Sequence, residues 1–350
     1  MNIKIGRKII GNNKPCFIIA EISGNHNGKI KNALKIIYHA KKSGADAVKL
    51  QTYKPDTITI NTNSKDFLIP QNSPWKSKMT LWELYKKAQT PWQWHKKLFS
   101  YARKIGIEIF SSPFDESAID FLEKLKCPAY KIASPELNHL PLLEKIAKTK
   151  KPIIFSTGLS NYKEVKKTYN FLKSKGAKKI IILKCDTSYP SKLEDANLLT
   201  INHIKQNFKC LAGFSDHTRG IIAPLSAVAL GANIIEKHFK LSKIKSSVDD
   251  FFSLNEMEFK KMINYIRDIE KCRGRIFYNL SKNAKKNLNG KRSIYFCKNV
   301  AKNEIITKKN IKIVRPSHGL NPKYYNKIIG MYSKKSFKIG DRVQIRYLKK

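Results

Sequence analysis

Acidic side chains are scarce in this sequence: 26 Asp and Glu stand against 69 Lys and Arg in 350 residues, a formal net charge of +43. Such an excess favours anionic partners, whether nucleic acid, membrane surface or small acids. Arginine is scarce as well. Only ten of the basic residues are Arg, and lysine lacks the planar fork that reads guanine or grips paired phosphate oxygens. With no helix-turn-helix, zinc or RNP-like motif beside the charge, a basic nucleic-acid-binding protein is the remote alternative and no nucleic-acid partner is expected. A compositional bias toward Lys, Asn and Ile, spread over a solvated surface, accounts for the excess. The six cysteines contain no CxxC pair, so neither a zinc ribbon nor a disulfide framework is indicated. Long apolar runs are also missing. The longest, Ile221 to Ile235, is interrupted by Ser226 and Asn233 and falls short of the ~20 residues that span a bilayer. The run from Cys16 to Ala20 is too short for a signal peptide and meets Glu21. A cytoplasmic protein without membrane contact is the expectation. Apolar residues nevertheless make up 41% and aromatics 10%, which excludes a disordered polycation.

From residue 16 to about 270, short β-branched runs alternate with amphipathic stretches, the pattern of βα units on a parallel sheet. The runs are Cys16–Ala20, Ala47–Gln51, Glu108–Ser111, Ala129–Ile132, Pro152–Ser156, Ile180–Leu183, Leu211–Phe214 and Asn233–Lys237. Between them apolar residues return at three and four, as in Leu98, Tyr101, Ala102 and Ile105. Eight such units predict a (β/α)8 TIM barrel, whose active site lies at the C-terminal ends of the strands. Polar and ionisable residues do gather just after each run: Glu21, Lys49 and Gln51, Ser112, Lys131 and Ser134, Ser156, Tyr189, Ser215 and His217, Glu236 and His238. A doubly wound sheet would concentrate them at one switch point.

The stretch from Thr52 to Pro91 is too long for an ordinary βα loop and reads as a lid or substrate wall. Trp75 and Trp82 are expected to line a pocket, Trp92 and Trp94 to pack helix on barrel. The barrel is assigned to residues 1–273 and a polar linker to 274–284. Strand-like runs Ser293–Cys297, Ile311–Val314 and Val343–Tyr347 then predict a small β-rich domain at 285–350.

His217 and His238, at the ends of the last two strands, suit a divalent metal with open positions for water and substrate. Lys49 and Lys131, with the hydroxyls of Ser112, Ser134, Ser156 and Ser215, suit a small phosphorylated carboxylate. A strand-end lysine forming a Schiff base is the other possibility. Glu21, Glu136 and Asp249 are candidate bases or hydroxyl clamps.

AEISGNHNG (20–28), VKLQTY (48–53), FSSPFD (110–115), YKIASPE (130–136), STG (156–158), SYP (188–190), FSDHTRG (214–220) and EKHF (236–239) together resemble the sialic acid synthase family, and KRS (291–293) with RPSHGL (315–320) resembles its antifreeze-like (SAF) domain. TLWELYKKA (80–88) and TPWQWHKKLF (90–99) resemble the branch of that family that makes pseudaminic acid more than the N-acetylneuraminic or legionaminic branches. The resemblance implies condensation of phosphoenolpyruvate with 2,4-diacetamido-2,4,6-trideoxy-L-altrose and water, releasing phosphate, in a domain-swapped homodimer. It implies a divalent ion (Mg, Mn or Co) on His217 and His238, and a phosphoenolpyruvate cradle of Lys49, Ser112, Lys131, Ser134, Ser156 and Ser215, to which Gln51 is added on position. It further implies Glu136 handling the attacking water, Glu21, Tyr189 and Asp249 on the sugar, and Arg315 lent to the neighbouring subunit's sugar pocket. The product so implied is a component of flagellin or surface glycans. Two positions depart from the pattern. Asp186 replaces the usual Thr after Cys185, and VDDFFSL (248–254) leaves Asp249 and Asp250 as alternatives.

Overall fold

The computed structural model describes residues 1–350. Eight parallel strands close into a barrel: β3 Phe17–Glu21, β4 Ala47–Thr52, β5 Glu108–Pro113, β6 Tyr130–Ile132, β7 Ile153–Ser156, β8 Ile180–Cys185, β9 Leu211–Asp216 and β10 Ile234–His238, with β10 returning to pair with β3. Each lies on one of the eight predicted runs. Several continue one or two residues further than the apolar pattern, because their polar ends still pair in the ladder: Gln51 faces Ser112, and Cys185 faces Ser215. The functional side chains therefore sit on the strands themselves, where alternation sends every second one into the barrel.

Helices with one apolar stripe cover the outside. Trp92–Ile105 buries His95, Leu98, Phe99 and Ala102 and stops at Gly106, whose φ of 76° admits the left-handed turn. Tyr162–Ser174 and Glu256–Arg273 begin with reciprocal caps, Asn161 with Glu164 and Asn255 with Glu258. The apolar stretch from Ile221 is split between the short helix Ile222–Ala229 and the start of β10 at Ile234, and no helix is long and apolar enough to cross a membrane.

Ahead of the barrel lies an antiparallel hairpin, β1 Asn2–Ile5 and β2 Lys8–Gly11. Its Ile3, Ile5 and Ile10 join the barrel core. Arg7 pairs with Glu108 at 3.0 Å and Lys8 with Asp46 at 2.9 Å, so it seats at the N-terminal ends of the strands, away from the catalytic rim. The alternation of NIKI marks the first strand of this hairpin, which lies ahead of the stronger apolar run from Cys16.

The chain divides into two compact units, Met1–Gly274 and Arg275–Lys350. In the second, β11 Ser293–Phe296 pairs antiparallel with β12 Ile311–Val314, and β13 Tyr332–Ser333 with β14 Leu348–Lys349. The strand expected at Val343–Tyr347 is absent. Val343 makes one bond, to the Ile294 carbonyl, and Ile345–Tyr347 then closes a 3-10 turn before β14. Within the expected linker, residues 275–281 carry neither helix nor strand, and Ser281 caps a single turn at Lys282–Lys286. Phe296 and Phe337 stack at 4.3 Å inside this unit, with Ile294, Val300, Ile306 and Ile311 buried around them.

Candidate active site

The inward residues of β3, β4, β6 and β10 bring two lysines and two carboxylates together at the mouth of the barrel. Lys49 Nζ lies 2.6 Å from Glu21 Oε2 and 3.8 Å from Glu236 Oε1, and Lys131 Nζ lies 3.4 Å from the same Glu236 oxygen. All four are buried. Lys49 donates to Ser112 Oγ at 3.2 Å, and Ser215 donates to Glu236 Oε1 at 3.1 Å. Burial disfavours the charge on Glu236, but Lys131 and Lys49 outweigh it and hold that carboxyl low. Burial likewise opposes the Lys49 ammonium, and here Glu21 and Glu236 hold its pKa up. For Lys131 burial wins over Glu236 and its pKa falls. Glu21 is pushed up by burial, against Lys49, to about 7.

Beside this network several buried polar atoms have no protein partner: Ser156 Oγ, Glu136 Oε2, Glu236 Oε2 and Thr187 Oγ1. Unpaired buried polar groups are costly, and their gathering around two lysines marks a site built for a polar, anionic ligand. Gly158 donates its N–H to Ser134 Oγ at 2.9 Å. A Cβ there would run into Thr187 Oγ1 and come within 2.9 Å of Ser134 Oγ, which is why a glycine follows Ser156 and Thr157. Gln51 shares the inward face of β4 with Lys49 and lies level with Ser112.

A second group surrounds the histidine pair. The rings of His217 and His238 stand 5.4 Å apart. His217 Nδ1 lies 2.7 Å from the Asp186 carbonyl; as the N–H of that contact it leaves Nε2 free to ligate. His238 Nδ1 is buried with no hydrogen-bond partner, 3.8 Å from Asp249 Oδ2. Burial, reinforced by the neighbouring His217, keeps His238 neutral, the state a ligand requires. No third His, Cys, Asp or Glu closes a cage around them. Burial opposes a charge on His217, but Cys185 outweighs it and raises the pKa of that ring, so an ion bound there displaces a proton. Two imidazoles with room left over suit an ion that must also take water and substrate oxygens.

Asp249, not Asp250, faces this group. Asp249 is buried and accepts from Ser23 Oγ, whereas Asp250 pairs with Lys240 at 2.6 Å near the surface. The Asp186 carboxylate is turned to its own loop, accepting from Ser191 Oγ at 2.7 Å and from the Ser188 N–H at 3.1 Å. It pairs with no lysine. Tyr189 lies tilted against His217, ring centres 4.3 Å apart. Trp75 takes its expected place, 5.1 Å from Tyr189, but Trp82 does not: its Nε1 donates to Asp56 at 2.7 Å and Lys86 covers its ring. Arg315 lies exposed in the second unit.

Glu236, Cys185, Ser23 and Thr187 belong to the site, although the sequence reading assigned them no role. Glu236 had a signal: it precedes His238 by two on one strand, hence shares its face. Ser23 and Thr187 lie on loops, whose course no periodicity reveals.

The NeuB family model matches residues 36–278 and the SAF domain model residues 291–344. The pseudaminic acid synthase of Campylobacter jejuni subsp. jejuni serotype O:23/36 is 44% identical over 338 residues, covering 96% of this chain and 98% of the relative. That of Helicobacter pylori is 42% identical over 326 residues, covering 93% and 95%. The crystal structure of N-acetylneuraminic acid synthetase from Leptospira borgpetersenii, in complex with citrate, superposes with a TM-score of 0.73 at 30% identity, covering 82% of this chain and 95% of that one. Barrel and second unit thus match these relatives along nearly the whole chain, which belongs to the NeuB family and carries a SAF domain after its barrel.

Proposed function

We propose that this chain is a pseudaminic acid synthase, condensing phosphoenolpyruvate with 2,4-diacetamido-2,4,6-trideoxy-L-altrose and water to give pseudaminic acid and phosphate. The observation that carries the choice of sugar is the 44% identity, over 96% of the chain, to a synthase of that name. The buried Lys49–Lys131 pair, with unpartnered Ser156 beside it, supports an anionic co-substrate.

Lys49 and Lys131 hold the phosphate and carboxylate of phosphoenolpyruvate, and Ser112, Ser134, Ser156, Ser215 and Gln51 supply hydrogen bonds around them. Glu21, Asp249 and Tyr189 orient the sugar. His217 and His238 hold a divalent ion, which when bound supplies Lewis-acid polarisation of the sugar aldehyde. The enol C3 forms its bond to the aldehyde carbon while the carbonyl π pair moves to the aldehyde oxygen, which takes up a proton and becomes a hydroxyl; C2 is left electron-poor. Water bonds to C2 while Glu136, raised by burial to about 7, takes its proton. The new C2 hydroxyl then gives its proton to the departing phosphate as the bond from C2 to the phosphate's bridging oxygen breaks, leaving a C2 ketone and free phosphate. Neither lysine is needed as a Schiff base, since both face carboxylates rather than standing free.

The remaining proposals concern context. The enzyme works in the cytoplasm as a homodimer in which Arg315 completes the sugar pocket of the second copy. Ile276 and Tyr278, 90% and 97% exposed in the single chain, support a partner covering that segment, and sedimentation of the purified chain checks it. The product goes on to decorate flagellin or surface polysaccharide.

Phosphate release should require phosphoenolpyruvate, the altrose and a divalent ion together, and chelation should stop it. Turnover that survives chelation contradicts the role of the histidines. Faster turnover of N-acetylmannosamine or of the legionaminic precursor than of the altrose contradicts the sugar assignment.

A further inference from the structure

The rim beside the histidine pair is aromatic. Phe252 stands 4.7 Å from His238, Tyr189 5.2 Å from Phe252, and Trp75 5.1 Å from Tyr189 and 6.1 Å from Phe251, ring centre to ring centre. The rings form a continuous ladder from the proposed aldehyde position to the lid. Trp75 donates its single N–H to the Val248 carbonyl at 2.8 Å, which anchors the ring and leaves only π surface to a ligand. Phe251 keeps 38% of its surface exposed at the same rim, an apolar face that folding alone does not use.

We propose that Trp75, with Tyr189 and Phe251, forms an apolar wall that selects a hexose ending in a methyl group over one ending in a hydroxymethyl group. The proposal rests on the sugar-condensing function above and deepens it. A sugar held at the histidine pair lays its carbon chain along these rings, where a terminal methyl gains contact with the ring faces. A terminal hydroxyl over the Trp75 and Phe251 faces loses water and finds no hydrogen-bonding partner there, since the Trp75 N–H is already given to Val248. Discrimination of this kind amounts to about 10- to 100-fold in kcat/KM.

The test compares 2,4-diacetamido-2,4,6-trideoxy-L-altrose with its 6-hydroxy counterpart, using wild type, Trp75→Ala and Trp75→Phe. Wild type should prefer the 6-deoxy sugar by about 10- to 100-fold. In Trp75→Ala the preference should fall to within about threefold, chiefly through the 6-deoxy sugar, with the KM for phosphoenolpyruvate unchanged. Trp75→Phe keeps a ring while losing the bond to Val248, and should retain most of the preference; equal loss in both variants assigns Trp75 to lid closure and overturns the wall. So does Trp75→Ala with undiminished preference, or wild type that uses both sugars equally well. Should Trp75→Ala melt below wild type, Phe251→Ala carries the same prediction of reduced preference. Wild type that rejects both sugars yet condenses N-acetylmannosamine refutes the pseudaminic reading itself, and the wall with it.

Discussion

A buried carboxyl with a pKa near 7 can accept a proton from water during turnover because it is already half ionised at neutral pH. Glu136 is such a group: burial lifts it to about 7, with Lys131 and Lys49 offsetting only part of the cost. The sign of its two effects differs. Activity needs the ionised form and should rise with pH through about 7. Stability moves the other way, because between the ordinary carboxylate range and that value the unfolded chain has released a proton that the folded chain keeps. Glu136→Gln should lower kcat by about 100- to 10,000-fold, abolish the acidic limb of the pH profile and melt at or above the wild-type temperature at pH above about 7. Retention of the limb assigns it to another group. Residue by residue, ionisable side chains just past apolar runs were legible as a rim, since a barrel has one catalytic end. The partition of labour within the rim was not. Glu236 sits between both lysines, a contact between β4, β6 and β10 that spacing along the chain does not encode.

Behind the rim, β9 and β10 are joined by a pair that faces away from the substrate. Lys237 and Asp216 are each fully buried and lie 2.5 Å apart, and Lys237 also donates to the Thr218 carbonyl. Their chain neighbours are His238 and His217, so the pair sets the separation of the two strand ends that carry the proposed metal ligands. Lys237→Met leaves the Asp216 carboxylate buried alone and should cost about 3–5 kcal/mol, read as a lower urea midpoint, with weaker binding of manganese to the metal-free protein by calorimetry. Adding Asp216→Leu should recover most of the stability, because a matched apolar pair replaces a matched ionic one; no recovery contradicts this account. The same strands show what the sequence could convey about elements. Runs such as IIIL and NIIE mark buried parallel strands through β-branched density alone. Their ends were placed one or two residues short, because Cys185 and Asp216 look like loop residues while still pairing in the sheet. Val343–Tyr347 failed for the opposite reason: Val343 packs into a small core and bonds once to Ile294 of β11, after which the chain closes a 3-10 turn at Ile345–Tyr347 instead of running on as a strand.

Across the molecule, the charge of +43 divides into a few buried cations with partners and a large solvated remainder. Lys49, Lys131 and Lys237 are the buried lysines, and each faces a carboxylate. The rest serve solubility and long-range attraction of an anionic substrate rather than recognition. What the whole chain is built to do is set by the first two lysines and the histidine pair, joined at one end of one barrel. The central claim is that carbon–carbon bond formation is followed by water addition and C–O cleavage. It is tested most directly by mass spectrometry of both products made from phosphoenolpyruvate carrying heavy oxygen at its bridging position, with 2,4-diacetamido-2,4,6-trideoxy-L-altrose as acceptor. The account predicts a sugar acid heavier than the hexose by one pyruvate and free of label, with the label in the released phosphate. Label retained in the sugar acid, or no condensed product, would contradict it.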